Sequence, residues 1–378
     1  MPLQLEALPA LYGDSLLLHY GTKADPRLII IDGGPKTVYA NSLRPRLAEI
    51  KATRSPDEPL PVRLVMVSHI DEDHIMGILD LAAELDEAKG ERLVAVQELW
   101  HNAFTDILGD EDDKFLKAAG GTASIASTDG TASPELRAKH PSAAMIASVT
   151  QGKKLRELAK NKLGWTINDD RPLLMAGAGK DDIFDVGGGL KLTVLGPSRE
   201  RLLELQKDWM KKVKPKGSKS ASVVEYLDDS PPNLASIVVY ATDGKKKILL
   251  TGDARGDFIL EGIENAKLMK KDKFEVDVLK VPHHGSIRDL EADFFERIPA
   301  KDYVISSNGG KFKNPDIETL ELLLSARGDA AYNVHLTYPV DLFLDPYDRK
   351  ALQKLVDGSK KKKYKIIPRD PKVKSVVL

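Results

Sequence analysis

No cysteine occurs anywhere in the 378 residues of this chain. That excludes disulfides, thiolate metal sites and cysteine nucleophiles, and it agrees with a reducing compartment. Any metal must then be held by histidine, aspartate, glutamate or water. Long apolar runs are missing too: none approaches the roughly 20 residues of a membrane span. The opening Met1-Pro2-Leu3-Gln4-Leu5-Glu6 has neither a basic n-region nor an apolar h-region. A cytoplasmic protein with no membrane partner is the expectation. Charge of one sign is also absent, because 56 Lys and Arg against 57 Asp and Glu leave a net charge of −1. Without a global field toward polyanions, binding nucleic acid would rest on local patches.

Histidine is scarce, at eight residues, so its placement is informative. Two histidines fall within Ser68-His69-Ile70-Asp71-Glu72-Asp73-His74. The apolar run Leu64-Val65-Met66-Val67 before it reads as a buried strand. After it, Ile75, Met76, Ile78, Leu79, Leu81, Ala82 and Leu85 recur at helical spacing. Imidazoles and carboxylates gathered at a strand tip where a helix begins are what a divalent metal site needs. The plainer alternative is a polar turn in which Asp71 or Asp73 caps the helix.

The pattern recurs along the chain. Strands at 15–20 and 28–31 end in Asp32-Gly33-Gly34-Pro35, a tight turn with a carboxylate at its start. A helix at 40–52, a linker over 56–61 and one strand over 92–100 are expected around the first histidine stretch. Residues 102–185 break the rhythm with a low-complexity patch at 120–128, a helical segment near 143–161 and a Gly-rich run at 176–179. They read as an insertion flanking the site, and His101 and His140 in or beside it read as surface or structural residues. A strand at 189–195 ends at Gly196-Pro197, and an amphipathic helix over 202–210 leads into a basic stretch. There Lys211, Lys212, Lys214, Lys216 and Lys219 either touch phosphates or form a solvated face.

A hairpin over 236–250 turns at Asp243-Gly244, and its second strand runs into Thr251-Gly252-Asp253-Ala254 before a helix at 257–271. The strand 276–281 ends in Pro282-His283-His284-Gly285-Ser286. Another at 303–306 ends in Ser307-Asn308-Gly309-Gly310, before Asn314-Pro315 and a helix at 316–326. The tail beyond 330 carries strand-like pieces at 332–338 and 364–367. Half of the histidines thus sit in two groups at strand ends, with Asp32 and Asp253 at matching tips. Several strand tips feeding one crevice is how α/β folds build sites.

Taken together, Ile31-Asp32-Gly33-Gly34, the His69–His74 stretch, residues 233–239, Leu250-Thr251-Gly252-Asp253-Ala254 and Val281-Pro282-His283-His284-Gly285-Ser286 resemble the metallo-β-lactamase fold superfamily. The resemblance is to its nuclease-like branch, typified by the soluble domain of the competence protein ComEC, and it covers about 16–324. It implies an α/β fold, the αββα sandwich with the metal site at one edge between the sheets. The chain would then be a single domain over 1–378, with the 102–185 insertion and a C-terminal extension from 330 to 378.

The resemblance makes His69, Asp71, Asp73 and His74 metal ligands, and Asp253 the carboxylate bridging two divalent ions, Mn²⁺ or Zn²⁺. One of His283 and His284 is the last histidine ligand and the other stands behind it, while Asp32 supports the ligand loop through hydrogen bonds. Asp71 replaces the histidine of the commoner pattern, which hardens the site toward Mn²⁺. Two departures bear on activity. Gly196 stands where many relatives have a histidine ligand, and Asn314 where the branch often has histidine. Asparagine cannot act as a general acid, so leaving-group protonation falls to water, Lys311 or Lys313.

The expected reaction is phosphodiester hydrolysis, with nucleic acid as substrate. Asp73, Asp253 and His284 lie at the chemistry, and a hydroxide is shared by two ions roughly 3.5–4 Å apart. Ser286, Ser306, Ser307 and Asn308 are candidates to bind phosphate oxygens. Two alternatives stay open: a lactone or thioester hydrolase using the same ions, and a degenerate binding module in which Gly196 and Asn314 mark lost function. Some stand-alone relatives occur in bacterial defence gene clusters. That implies control by a protein partner, with 120–133 and 211–232 as places to be clipped.

Overall fold

The computed structural model describes residues 2–103, 141–177, 182–203, 235–343 and 345–378, with the backbone alone at 141–147. The low-complexity patch, His140, Asn233 and the lysines of 211–219 lie outside the described residues.

Two large mixed sheets and their helices make an α/β fold. The first sheet has the strand order Val376–Val377, Gln4–Ala7, Leu16–Gly21, Pro26–Ile31, Leu64–Val67, Glu98–His101, Thr166–Ile167. The second runs Lys365–Pro368, Asn333–Leu336, Ala300–Ile305, Val276–Lys280, Lys247–Leu250, Val238–Thr242, Lys191–Gly196, Ile183–Asp185. Alternate residues of one strand serve different cores, as the two-residue period of a strand requires. Leu16, Leu18, Ile29 and Met66 join Val194, Val239, Leu250 and Val278 of the second sheet in one shared cluster. Between them, Leu17, Ile30 and Val65 turn to the other face and meet Leu47, Ile78 and Leu81 of the helices Arg44–Arg54 and Glu72–Glu87. On the far side of the second sheet, Leu249, Leu279 and Tyr303 pack on Ile259, Leu320 and Leu352 of three more helices. No helix among the described residues is long and apolar enough to cross a membrane.

Several expectations are redrawn. The linker over 56–61 ends in a strand, Leu60–Val62, that pairs in parallel with Val94–Val96 as a separate two-stranded sheet. The single strand expected over 92–100 is therefore two, and Gln97 between them donates its N–H to Val62. The helix expected to reach residue 271 stops at Asn265, where Lys267 adopts a left-handed φ of 57°. Residues beyond 330 are woven into both sheets, giving the second its parallel strands Asn333–Leu336 and Lys365–Pro368 and the first its edge Val376–Val377. Within 102–185, Thr166–Ile167 extends the first sheet, and the helix Pro141–Glu157 packs on Glu72–Glu87.

The returning edge strand brings Ser375 to Glu6. The fully buried Glu6 carboxylate accepts from His19 Nε2 (2.7 Å), Arg46 Nε (2.7 Å) and the Ser375 hydroxyl. Burial opposes its ionisation, but these donors outweigh it and lower its pKa from 4.5 to about 2. A depressed carboxyl pKa gives stability that is complete above the unfolded value and lost as pH falls through the folded one. Glu6 is expected to contribute about 2 kcal/mol above pH 4.5, discounted because Arg46 reaches solvent. Urea titrations of wild type and Glu6→Gln should converge by that amount between pH 4.5 and 2. A stability difference that stays constant across that window contradicts the assignment.

Candidate metal centre

Each ligand group is set by the way its strand ends. Leu64–Val67 stops at Ser68-His69-Ile70, and Asp71 starts the helix Glu72–Glu87. Asp71 occupies the N-cap position with extended backbone, yet its side chain makes no capping hydrogen bond. The capping alternative therefore does not account for its carboxylate. Asp253 follows Lys247–Leu250 by three residues, and His283 and His284 follow Val276–Lys280. Both of these histidines, and Asp32, hold positive φ (46°, 54° and 55°). That region costs a non-glycine residue about 1 kcal/mol or more and persists where the surroundings dictate it.

The tips converge on Asp253, which is 2% exposed. Its Oδ1 lies 3.3 Å from His74 Nε2. Its Oδ2 lies 3.3 Å from His284 Nε2, 3.7 Å from His283 Nε2 and 3.8 Å from His69 Nε2. His74 and His284 bring their Nε2 atoms within 3.2 Å of each other. Asp73 Oδ2 is 3.5 Å from His284 Nε2, and Asp71 Oδ2 is 3.7 Å from His69 Nε2. Ligand atoms about 2.1 Å from one ion stand roughly 3.0–3.4 Å from each other in tetrahedral geometry, so these spacings suit a shared cation.

All four imidazoles turn Nε2 inward, and each outer nitrogen has its own partner. His74 Nδ1 donates to Asp32 Oδ2 (2.9 Å), His284 Nδ1 to the Ser306 carbonyl (3.0 Å) and His283 Nδ1 to Asp289. His69 Nδ1 lies 3.1 Å from Ser68 Oγ. Asp32 also accepts from the Ser68 N–H (2.7 Å) and hydroxyl (2.8 Å), which ties the strand end to His74. Partners of this kind fix the tautomer and aim the second nitrogen at a metal.

The residues fit a divalent ion. His69 Nε2 and Asp253 Oδ1 are buried and make no hydrogen bond, an expense that a bound cation would remove. Burial and the neighbouring His74 push His69 down to about 3. Burial and Asp73 push Asp71 up to about 7. For Asp253 burial works against ionisation, but the imidazoles of His284 and His74 hold its carboxyl well below the usual range. His74 and His284 are displaced upward in turn: burial opposes their charge, and Asp253 with Asp32 or Asp14 outweighs it. Asp71, with a side chain 31% exposed, Asp73 and His283 form the open side; His69, His74 and Asp253 form the floor.

The structure thus brings together His69, Asp71, Asp73, His74, Asp253, His283 and His284, with Asp32 behind them. The expected phosphate binders are placed differently. The Ser306 hydroxyl donates to the Gly13 carbonyl and the Ser307 hydroxyl to the Asn314 carbonyl, both at 2.7 Å. Asn308 Oδ1 accepts from the Gly310 N–H, and Asn314 Nδ2 donates to the His283 carbonyl. The Ser306 and Ser307 hydroxyl protons, the Asn308 Oδ1 and the Asn314 amide are thus engaged in bonds within the protein. Ser286 is buried, its N–H bonded to the His283 carbonyl. Lys313 pairs with Asp345. His101 is fully buried near Gly152, so of the two expected placements it is not at the surface. Gly196 faces Val238 and Ser236.

Besides Asp289, two buried residues at the site are not singled out in the sequence. Asp14 and Lys280 are both buried and lie 2.6 Å apart. Asp14 stands 3.5 Å from His284 Nδ1 and 3.9 Å from His74 Nδ1, the outer side of both rings. It can be grouped with His74, Asp253 and His284 by distance alone, but its position behind the rings and its lysine partner make it a neighbour of the ligands. The available signal was a lysine interrupting the apolar run Val278-Leu279-Lys280-Val281. Compared with known proteins, the chain matches no family model and no curated sequence.

Proposed function

We propose that this chain is a metal-dependent phosphodiesterase, a nuclease of the ComEC-like branch of the metallo-β-lactamase fold superfamily. The observation that carries the proposal is the convergence of four inward-turned Nε2 atoms and three carboxylates on one buried point between two sheets. Two divalent ions bound there would supply Lewis acidity and a nucleophilic water near neutral pH. His69, Asp71, Asp73, His74, Asp253, His283 and His284 would hold them. Asp32, Ser68, Ser306 and Asp289 keep the imidazoles oriented. Asp71, a hard oxygen donor, favours Mn²⁺ over Zn²⁺.

A nucleotide chain suits the rim better than a lactone does. Tyr12 and Phe312 meet edge to face at 5.5 Å, and Lys311 Nζ lies 5.2 Å and 4.7 Å from their respective ring centres. Tyr12 lies two residues from Asp14, whose N–H bonds Asp73, and Phe312 two from Asn314, which bonds His283. A half-exposed phenyl ring beside a cation offers base stacking and a phosphate contact together. Asn314 cannot give a proton to the leaving group, which leaves water or a lysine of the 311–313 segment for that step.

The Mn²⁺-loaded protein is expected to cleave single-stranded oligonucleotides, to stop on chelation, and to leave γ-lactones and thioesters intact. Lactone or thioester hydrolysis without oligonucleotide cleavage contradicts the proposal.

A further inference from the structure

The buried pair Asp14 and Lys280 lies on the outer side of the His74 and His284 rings and joins the two halves of the centre. Asp14 lies in the loop before Leu16–Gly21 of the first sheet, and its N–H donates to the Asp73 carbonyl (3.2 Å). Lys280 ends a strand of the second sheet, and its carbonyl accepts from the Thr251 hydroxyl (2.8 Å), two residues before Asp253. The first sheet supplies His69, Asp71, Asp73 and His74; the second supplies Asp253, His283 and His284. One ion pair therefore crosses between the two sets of ligands.

Stability alone is a weak reason for such a pair. Side chains 1% and 0% exposed lose most of their hydration, and a well-packed apolar pair of similar volume is often as stable or more so. A role in orientation does account for it. Asp14 puts negative charge on the Nδ1 side of His284 and His74, beside the Ser306 carbonyl and Asp32. That anchors the Nδ1 side of both rings and leaves both Nε2 atoms facing Asp253. Lys280, 2.6 Å from Asp14, neutralises the carboxylate, so it does not compete with Asp253 for the cation.

We infer that Asp14 and Lys280 are a positioning pair that sets the register of the two ligand groups and aims His74 and His284 at the metal. The inference rests on the metal-centre reading but not on the identity of the substrate.

The test uses the full chain stripped of metal, titrated with Co²⁺ alone, as wild type, Asp14→Asn and the apolar pair Asp14→Leu/Lys280→Met. Urea unfolding accompanies each titration. The apolar pair is expected to unfold near the wild-type midpoint, to bind Co²⁺ about 10–100-fold more weakly and to give an altered visible spectrum. Asp14→Asn, which keeps the shape, should also shift the spectrum, so a poorly folding double variant still leaves a reading. Wild-type affinity and spectrum in a folded variant overturn the inference and leave the metal centre standing. A wild-type protein that takes up no Co²⁺ overturns both.

Discussion

Asp253→Asn is expected to reduce phosphodiester hydrolysis at least about a thousandfold, a rise near 4 kcal/mol in the barrier. The substitution keeps shape and removes charge, which makes it a sharp instrument at this position. Among the described residues, Asp253 is the one side chain with carboxylate oxygens within 3.8 Å of the Nε2 atoms of His69, His74, His283 and His284. An amide puts a neutral oxygen or an N–H there, and an N–H aimed at an imidazole lone pair occupies a place meant for the cation. The fold is expected to survive, because Asp253 Oδ1 makes no hydrogen bond that the fold relies on. Steady-state rates on an oligonucleotide, with urea unfolding as control, check the outcome. Activity within tenfold of wild type removes Asp253 from the centre.

Gly77→Ala is expected to cost about 3 kcal/mol or more and to empty the metal centre. Helix propensity predicts the reverse, since alanine in a helix interior is favoured over glycine by about 1 kcal/mol. Sterics decide the sign here. A Cβ at Gly77 would lie 2.0 Å from the Gly33 carbonyl oxygen and 2.6 Å from its carbonyl carbon, both backbone atoms. In return, a Cβ at Gly33 would lie 2.3 Å from the Ile78 nitrogen. The two glycines let the helix Glu72–Glu87 touch the end of strand Pro26–Ile31. There Gly33 N–H donates to the His74 carbonyl (2.7 Å) and Gly77 N–H to the Gly34 carbonyl (3.0 Å). Relieving the clash pushes the helix outward, draws Ile78 and Leu81 from their core and carries His74 away from Asp32. A lowered urea midpoint with lost metal binding is the expected pair of results. An unchanged or raised midpoint contradicts the close approach.

What could be read in advance follows from which interactions are local. The ligand stretches were visible because each joins an apolar run to clustered histidine and carboxylate within a few residues. Asp32-Gly33-Gly34 marked a turn at a strand tip, although the sequence does not say that Gly33 meets Gly77. The Nδ1 partners were legible only in part. Asp32 came from the resemblance, whereas Asp289 and the Ser306 carbonyl reach their imidazoles through packing of separate loops. Asp14 carries no local signal in the sequence, because its meaning depends on Lys280, far off in the chain and 2.6 Å away in space. A hydroxyl in a Gly-rich loop suits phosphate, but its hydrogen-bond partner is not legible in the sequence: the Ser306 hydroxyl donates to the distant Gly13 carbonyl and the Ser307 hydroxyl to the Asn314 carbonyl. Tail strands were recognised individually, whereas their insertion into both sheets is a matter of long-range pairing.

Everything proposed for this chain depends on these histidines and carboxylates holding divalent cations. Elemental analysis of the purified chain, reconstituted with Mn²⁺ and freed of excess ion, addresses it directly beside Asp253→Asn. Two ions per wild-type chain, with at most one retained by the variant, is the predicted result. Less than one ion per wild-type chain, or equal content in both proteins, would contradict it.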